Sequence, residues 1–436
     1  MRTPARAGLA VVVAATWVAV SLAAASPAAA GDTAGREAVA ARPAASDGEI
    51  ARWTAHVARR PQDADALVRL GDAYGQKARE TADPGYYARA EAAFERARAL
   101  RPELADALVG LAWVAGARHE FTESAAWARR ALAIDAALPA AHGLLGDAAL
   151  EQGDYTAAAE HYQRMLDLRP DLASLGRAGQ VLFVTGNAAK AIVMMQKAVA
   201  AGAPYAENTA WARAQLALML WHTGALLPAL VVLSRALADC PHRPHLHAAW
   251  GRGAASRGDL AAGIRHLRRA VALAPHVESV AILGDLLAAS GEAEDAQRQY
   301  ALVEVIARLH RAAGVRGGLE LAAFHADHAT NLEWAVSEAE AVYRERKTVQ
   351  AADTLAWSYY QSGRYEDARR VIADALRHRT PDARILFHAG MIHWRLSDRH
   401  HAQRYLYQAL SLNPRFHPRD ARLAAATLRE LGTAAQ

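Results

Sequence analysis

Residues 139–170 read PAAHGLLGDAALEQGDYTAAAEHYQRMLDLRP, and residues 244–275 read PHLHAAWGRGAASRGDLAAGIRHLRRAVALAP. The first stretch opens on Pro139 and carries Leu145-Gly146, Ala149, Gly153-Asp154-Tyr155, Ala158, Tyr162 and a closing Pro170. The second sets Trp250-Gly251, Ala254, Gly258-Asp259-Leu260, Gly263, Leu267, Ala270 and Pro275 at the corresponding places, 105 positions further on. Each stretch reads as two antiparallel helices joined at the Gly-Asp turn. The glycine and the small residue three further on let the helices approach closely, and a larger side chain at Ala158 would force the pair apart. The final proline ends the second helix, because it lacks the amide donor and clashes with the preceding turn. A spacing of 105 is close to three copies of a unit of about 34 residues.

Outward from these stretches, the composition agrees. A single core stops growing near roughly 250–300 residues, so 436 residues require several domains or an elongated array. The chain is 53% hydrophobic with only 7% aromatics, and it is dominated by alanine and leucine, which are strong helix formers. Long β-branched alternations bounded by turn pairs are hard to find, so the expectation is an almost purely helical protein.

The landmarks resemble the tetratricopeptide repeat family, exported bacterial type, whose period is about 34 residues. The resemblance implies an all-α superhelical solenoid of about ten helix-turn-helix repeats with capping helices at both ends. Carried along the chain, the register starts repeats near Ala64, Ala105, Pro139, Leu172, Ala210, Pro244, Val277, Arg316, Val349 and Ala383. The first has extra residues around Glu80 to Gly85, and the eighth has Thr330-Asn331 where a Gly-x turn is expected. Residues 64–315 form a first array and 316–416 a second. Recurring small and bulky side chains then stack the pairs into an open, curved rod. Both ends need caps, because a terminal repeat has one face without a neighbour. Asp47 is placed as N-cap of a lone helix over 47–63 carrying Ile50, Trp53 and Val57, and Asp420 as cap of a last helix within 417–436.

Residues 1–30 form a separate object. Arg2 and Arg6 precede an uncharged apolar run from Leu9 to Ala25, and Ala28-Ala29-Ala30 offers a cleavage site, the pattern of a secretory signal peptide. An uncleaved membrane anchor is the other reading, because 7–30 is nearly long enough to span a bilayer. Residues 31–46 read as a flexible linker. The expectation is export to the periplasm or beyond, with no membrane span after cleavage. Cys240 is the only cysteine, so no internal disulfide forms. Without Arg2 and Arg6, 48 basic residues face 45 acidic ones, a surplus of three that is too small to argue for nucleic acid.

In tetratricopeptide arrays the first helices line the concave surface, and the resemblance implies that five positions in each point into it. These include Trp113, Phe183, Trp211 and Trp221 in the first half. A candidate partner-binding groove follows in the last three repeats: Phe324, Asp327 and His328, then Asp353, Trp357, Tyr360 and Gln361, then Phe387, Met391 and Trp394, with Arg384 and Glu320 beside them. Aromatic rings with polar tips suit binding because they bury much area at small entropic cost. The alternative is that these rings pack between neighbouring first helices as core.

Among nineteen histidines, Cys240, His242, His245 and His247 form the densest set of soft and imidazole ligands, and His325 with His328 shares a helical face. The spacing of the first set matches no established zinc motif, and it straddles an inter-repeat turn that is equally well read as solvated. His400-His401 in another turn weighs less. No nucleophile elbow, phosphate loop or dinucleotide fingerprint occurs, and the repeats take up nearly the whole chain after the leader. The reading is a non-catalytic scaffold without cofactor, binding a protein or peptide partner along its groove in the bacterial envelope. The alternatives are a metal-binding or a carbohydrate-binding envelope protein.

Overall fold

The computed structural model describes residues 45–81, 83, 85–202, 206–312 and 318–433. Residues 1–30, read above as a leader, and all but the end of the 31–46 linker lie outside them. Among the described residues there are 22 helices, no strand, and no helix long and apolar enough to cross a membrane. A single helix, α1 (Ala45–Arg59), precedes pairs α2 (Ala64–Thr81) with α3 (Gly85–Leu100), α4 (Ala105–Ala117) with α5 (Phe121–Ile134), and α6 (Pro139–Gln152) with α7 (Tyr155–Leu168). Next come α8 (Leu172–Val184) with α9 (Ala188–Ala201), α10 (Ala206–His222) with α11 (Leu226–Asp239), α12 (Pro244–Arg257) with α13 (Leu260–Leu273), and α14 (Val277–Ser290) with α15 (Ala293–Ala312). The last pairs are α16 (Gly318–Asp327) with α17 (Leu332–Glu345), α18 (Val349–Gln361) with α19 (Tyr365–Leu376), and α20 (Ala383–Arg395) with α21 (Arg399–Leu412), closed by α22 (Asp420–Thr433).

Eight first helices begin at the residue where the sequence register starts a repeat. The exceptions are α10, described from Ala206, a turn before Ala210, and α16, described from Gly318, with Arg316 outside the described residues. The extra residues of the first repeat extend α2 by a further turn. Asp47 lies in the first turn of α1 rather than before it, paired with Lys77 at 2.6 Å. The Gly-Asp landmarks divide the work of two helix ends. Gly153 and Gly258 end their helices with a left-handed φ, and Asp154 and Asp259 cap the following helices by accepting from Ala157 N and Ala262 N. Close packing explains the other small residues. A Cβ on Gly146 would strike the Tyr162 ring and one on Gly251 the Leu267 side chain, while Ala158 is sealed between the helices.

First helices touch the first helix of the next repeat, as in α2 to α4, α10 to α12 and α16 to α18, whereas successive second helices make no comparable contact. The array therefore curves toward its first helices, which form the inner face. It also meets itself, which departs from the open rod expected from the sequence. The turns inside the third to sixth pairs rest on the loops that follow α17, α19 and α21. A Cβ on Gly186 would lie 2.6 Å from His378 O, and one on Gly224 2.5 Å from Leu412 O. Tyr155 Oη accepts from Val349 N at 2.9 Å, Thr380 Oγ1 donates to Val184 O at 2.5 Å, and Asn413 Nδ2 donates to Trp221 O at 2.9 Å. Arg415 donates to Arg257 O at 2.8 Å and accepts at its own carbonyl from Ser256 Oγ at 2.9 Å. One apolar cluster crosses this seam, joining Leu150, Tyr155 and Tyr162 to Val349, Leu355 and Ile372. The molecule is a coil whose second turn is stacked on the first.

Candidate functional site

On the inner face of the last three pairs, α18 and α20 lie side by side and bring Trp357 between two other rings. Tyr360 stacks on one side at 4.5 Å between centroids and 5° between planes, and His388 on the other at 4.0 Å and 11°. His388 Nδ1 sits 2.8 Å from Asp353 Oδ1, which fixes the imidazole and leaves Nε2 pointing elsewhere. That Nε2 is buried without a protein partner, and so is the indole Nε1 of Trp357. Beside them Arg384 is ion-paired with Asp327, yet Arg384 Nε and Asp327 Oδ1 are also buried and unpartnered. Burial works against the guanidinium charge, but Asp327 and Asp353 outweigh it and hold its pKa above the ordinary arginine range. Buried polar groups normally find a hydrogen bond, so four orphaned atoms in one patch call for an explanation.

The structure sorts the ten sequence-predicted groove residues into two sets. Phe324, Trp357, Phe387 and Met391 are buried in the core, which favours the packing alternative for them. Phe387 touches Trp357 and Phe416, and Met391 accepts a weak hydrogen bond from Thr427 Oγ1 at 3.9 Å. Asp327, His328, Asp353, Tyr360, Gln361 and Trp394 remain half-buried at the inner surface. His328 is engaged elsewhere, with Nε2 at 2.9 Å from Asp285 and Nδ1 at 2.8 Å from Phe324 O. His388 was not among the sequence candidates, because it falls one position after the inward Phe387. Its role shows only in the ring stack.

Three segments, the overlapping 133–173 and 144–207 and the separate 354–415, match the family model described as tetratricopeptide repeat. The first two cover the α6–α7 pair, with its Gly153-Asp154 turn and sealed Ala158, and the third covers most of α18 to α21. Over these segments the chain is built of tetratricopeptide repeats. None of the curated proteins matches it significantly. Among solved structures it is similar to YrrB, a TPR protein with an unusual peptide-binding site, at 20% identity over 45% of this chain and 97% of that one, with a TM-score of 0.32. TTC0263, a thermophilic TPR protein of Thermus thermophilus, matches at 20% identity over 47% and 98% with a TM-score of 0.37. The human IFIT1 dimer with PPP-AAAA matches at 14% identity over 82% and 88% with a TM-score of 0.44.

Elsewhere in this tetratricopeptide-repeat coil the inner face carries acids crowded by surrounding protein. Asp72 is one: burial raises it to about 7 against the pull of Arg69. The candidate metal ligands near Cys240 diverge. His247 Nδ1 faces His266 Nδ1 at 3.1 Å while its Nε2 takes Pro241 O at 2.9 Å, and His242 Nδ1 meets Arg269 at 3.1 Å. His245 turns to the inner side, where burial depresses its pKa to about 3, and burial pushes the Cys240 thiol up, away from the thiolate a metal needs. At the seam, a cavity of about 1020 Å³ opens between the α4–α5 turn and α17, lined by Phe121, Leu321 and Trp334 with Glu120, Glu338 and Arg346.

Proposed function

We propose that this protein is a non-catalytic scaffold that binds an extended peptide or protein segment on its inner face, at the patch formed by α16, α18 and α20, and that it acts in the bacterial envelope. Tetratricopeptide-repeat proteins are typically interaction scaffolds of this general kind. The observation that carries the finer reading is the set of half-buried polar side chains, Asp327, Asp353, Tyr360 and Gln361, that α16 and α18 bring to the inner face beside Trp394. A peptide backbone alternates donors and acceptors and would satisfy both kinds. The Tyr360 hydroxyl and the Gln361 amide can donate to a peptide carbonyl, and the Gln361 carbonyl and the Asp353 carboxylate can accept from a peptide N–H. The half-buried Tyr360, Gln361 and Trp394 would frame the segment. Envelope location rests on the charged start, apolar run and Ala-x-Ala end of residues 1–30.

The test leaves the buried rings intact, because removing a large core aromatic costs about 3–5 kcal/mol and would confound the result. Cross-linked capture from the native envelope compares the wild type with a Tyr360→Ala, Gln361→Ala, Trp394→Ala triple variant of unchanged helicity. Loss of the captured partner from the variant is expected. Equal capture by both proteins would remove the patch from consideration.

A further inference from the structure

A set of groups far from the Cys240 turn converges on one point. His393 stands in the last turn of α20, Asp398 caps α21, and His401 is in the first turn of α21. His393 Nδ1 lies 3.0 Å from Asp398 Oδ2, and His401 Nδ1 lies 2.9 Å from the same oxygen and 3.0 Å from Oδ1. The two imidazoles stack at 5.0 Å between centroids. One ligand atom from each of the three residues falls within 4.8 Å of the others, the one such set of three or more among the described residues. From the geometry we infer that His393, Asp398 and His401 form a binding site for a divalent transition ion of the zinc class, open at a fourth position.

The distances suit the ion. Zinc takes imidazole nitrogen at about 2.0–2.1 Å and carboxylate oxygen at about 2.0–2.2 Å, so ligand atoms around a tetrahedral centre stand roughly 3.3 Å apart. The Asp398 contacts already lie within a few tenths of an ångström of that spacing. Two neutral imidazoles and one carboxylate are also the ligand types that select zinc and its neighbours over magnesium or calcium. Entry is open, with the His401 side chain 43% exposed and that of Asp398 35%, while His393 at 13% supplies a fixed wall. The amino end of α21 disfavours a cation weakly, and the Asp398 carboxylate offsets it. Neither the captured peptide segment nor the inner-face patch is involved, so this inference stands or falls separately from the scaffold reading.

Zinc titration by calorimetry at pH 7.5 on the full chain, freed of metal with a chelator, reads the site. The expected result is one zinc per chain, with Kd at least tenfold weaker in His393→Gln, His401→Gln and Asp398→Asn, the last keeping an oxygen that can cap α21. Cobalt should give the visible absorption of a low-symmetry four-coordinate centre in the wild type only. At pH 5.5 protons compete for the imidazoles and wild-type affinity should fall. Equal zinc affinity in the wild type and a His393→Gln, His401→Gln double variant would overturn the assignment, as would a wild type that takes up no zinc at tens of micromolar. Circular dichroism confirms that each variant is folded.

Discussion

Gly186 must satisfy two demands at once. Its φ of 84° lies in the left-handed region, which costs an L-residue roughly 1–2 kcal/mol, and its missing Cβ makes room for His378 O from the next turn of the coil. Gly291 has a φ of 89° but nothing within 4 Å of a built Cβ, so it carries only the first demand. Replacing each by alanine separates them. In urea unfolding, Gly291→Ala should lose about 1–2 kcal/mol and Gly186→Ala clearly more. Equal losses would mean that the seam does not press on Gly186. At this scale the sequence was a good guide to local chemistry, because Gly-Asp turns and small crossing residues act within one helix pair. It was a poor guide to Trp357 and Phe387, since an inward position does not say whether the next first helix covers the ring. His388 was invisible for a related reason, as its partner Asp353 lies on a different repeat.

Among the elements, the loop before α22 is fastened to α14 by a network of charges. His417 sits between Asp285 at 3.4 Å and Asp420 at 3.0 Å, and Tyr300 donates to Asp285 at 3.0 Å while Arg419 pairs with Asp420 at 2.9 Å. Burial opposes the imidazolium, but hydrogen bonds to the two carboxylates outweigh it and raise His417 to about 9. Hydrogen bonds from His328 and His417 hold Asp285, and contacts with His417 and Arg419 hold Asp420, below the usual carboxylate range despite their burial. The raised histidine contributes stability that is full below an unfolded pKa of about 6.5 and is lost as pH climbs through about 9. The depressed carboxylates contribute above about pH 4 and lose their share in stronger acid. The melting-temperature gap between the wild type and His417→Gln should therefore be widest between about pH 4.5 and 6.5 and shrink toward pH 9. A gap that is flat or widens with rising pH would refute the charged clasp. Helix starts were legible at this scale because proline, glycine and capping acids mark them. The convergence of His393 and His401 was not, because eight residues and a turn separate two histidines that share one carboxylate.

For the whole molecule, the repeat pattern established a solenoid but not its pitch. Curvature accumulates from small rotations between neighbouring repeats, and no single residue pattern states their sum. That is why an open rod was expected where the structure has stacked turns, with Lys347 beside Gly153 although 194 residues separate them. The stacking also leaves the cavity between the α4–α5 turn and α17. Spin labels at Gln152→Cys and Lys347→Cys, in a chain with Cys240→Ser, measure the coil directly by electron–electron dipolar spectroscopy. Helices pack 8–10 Å apart, so five repeats of an open rod would put the labels about 40 Å or more from each other. A distance below about 20 Å is expected if the turns are stacked, and one at the open-rod value would contradict the account.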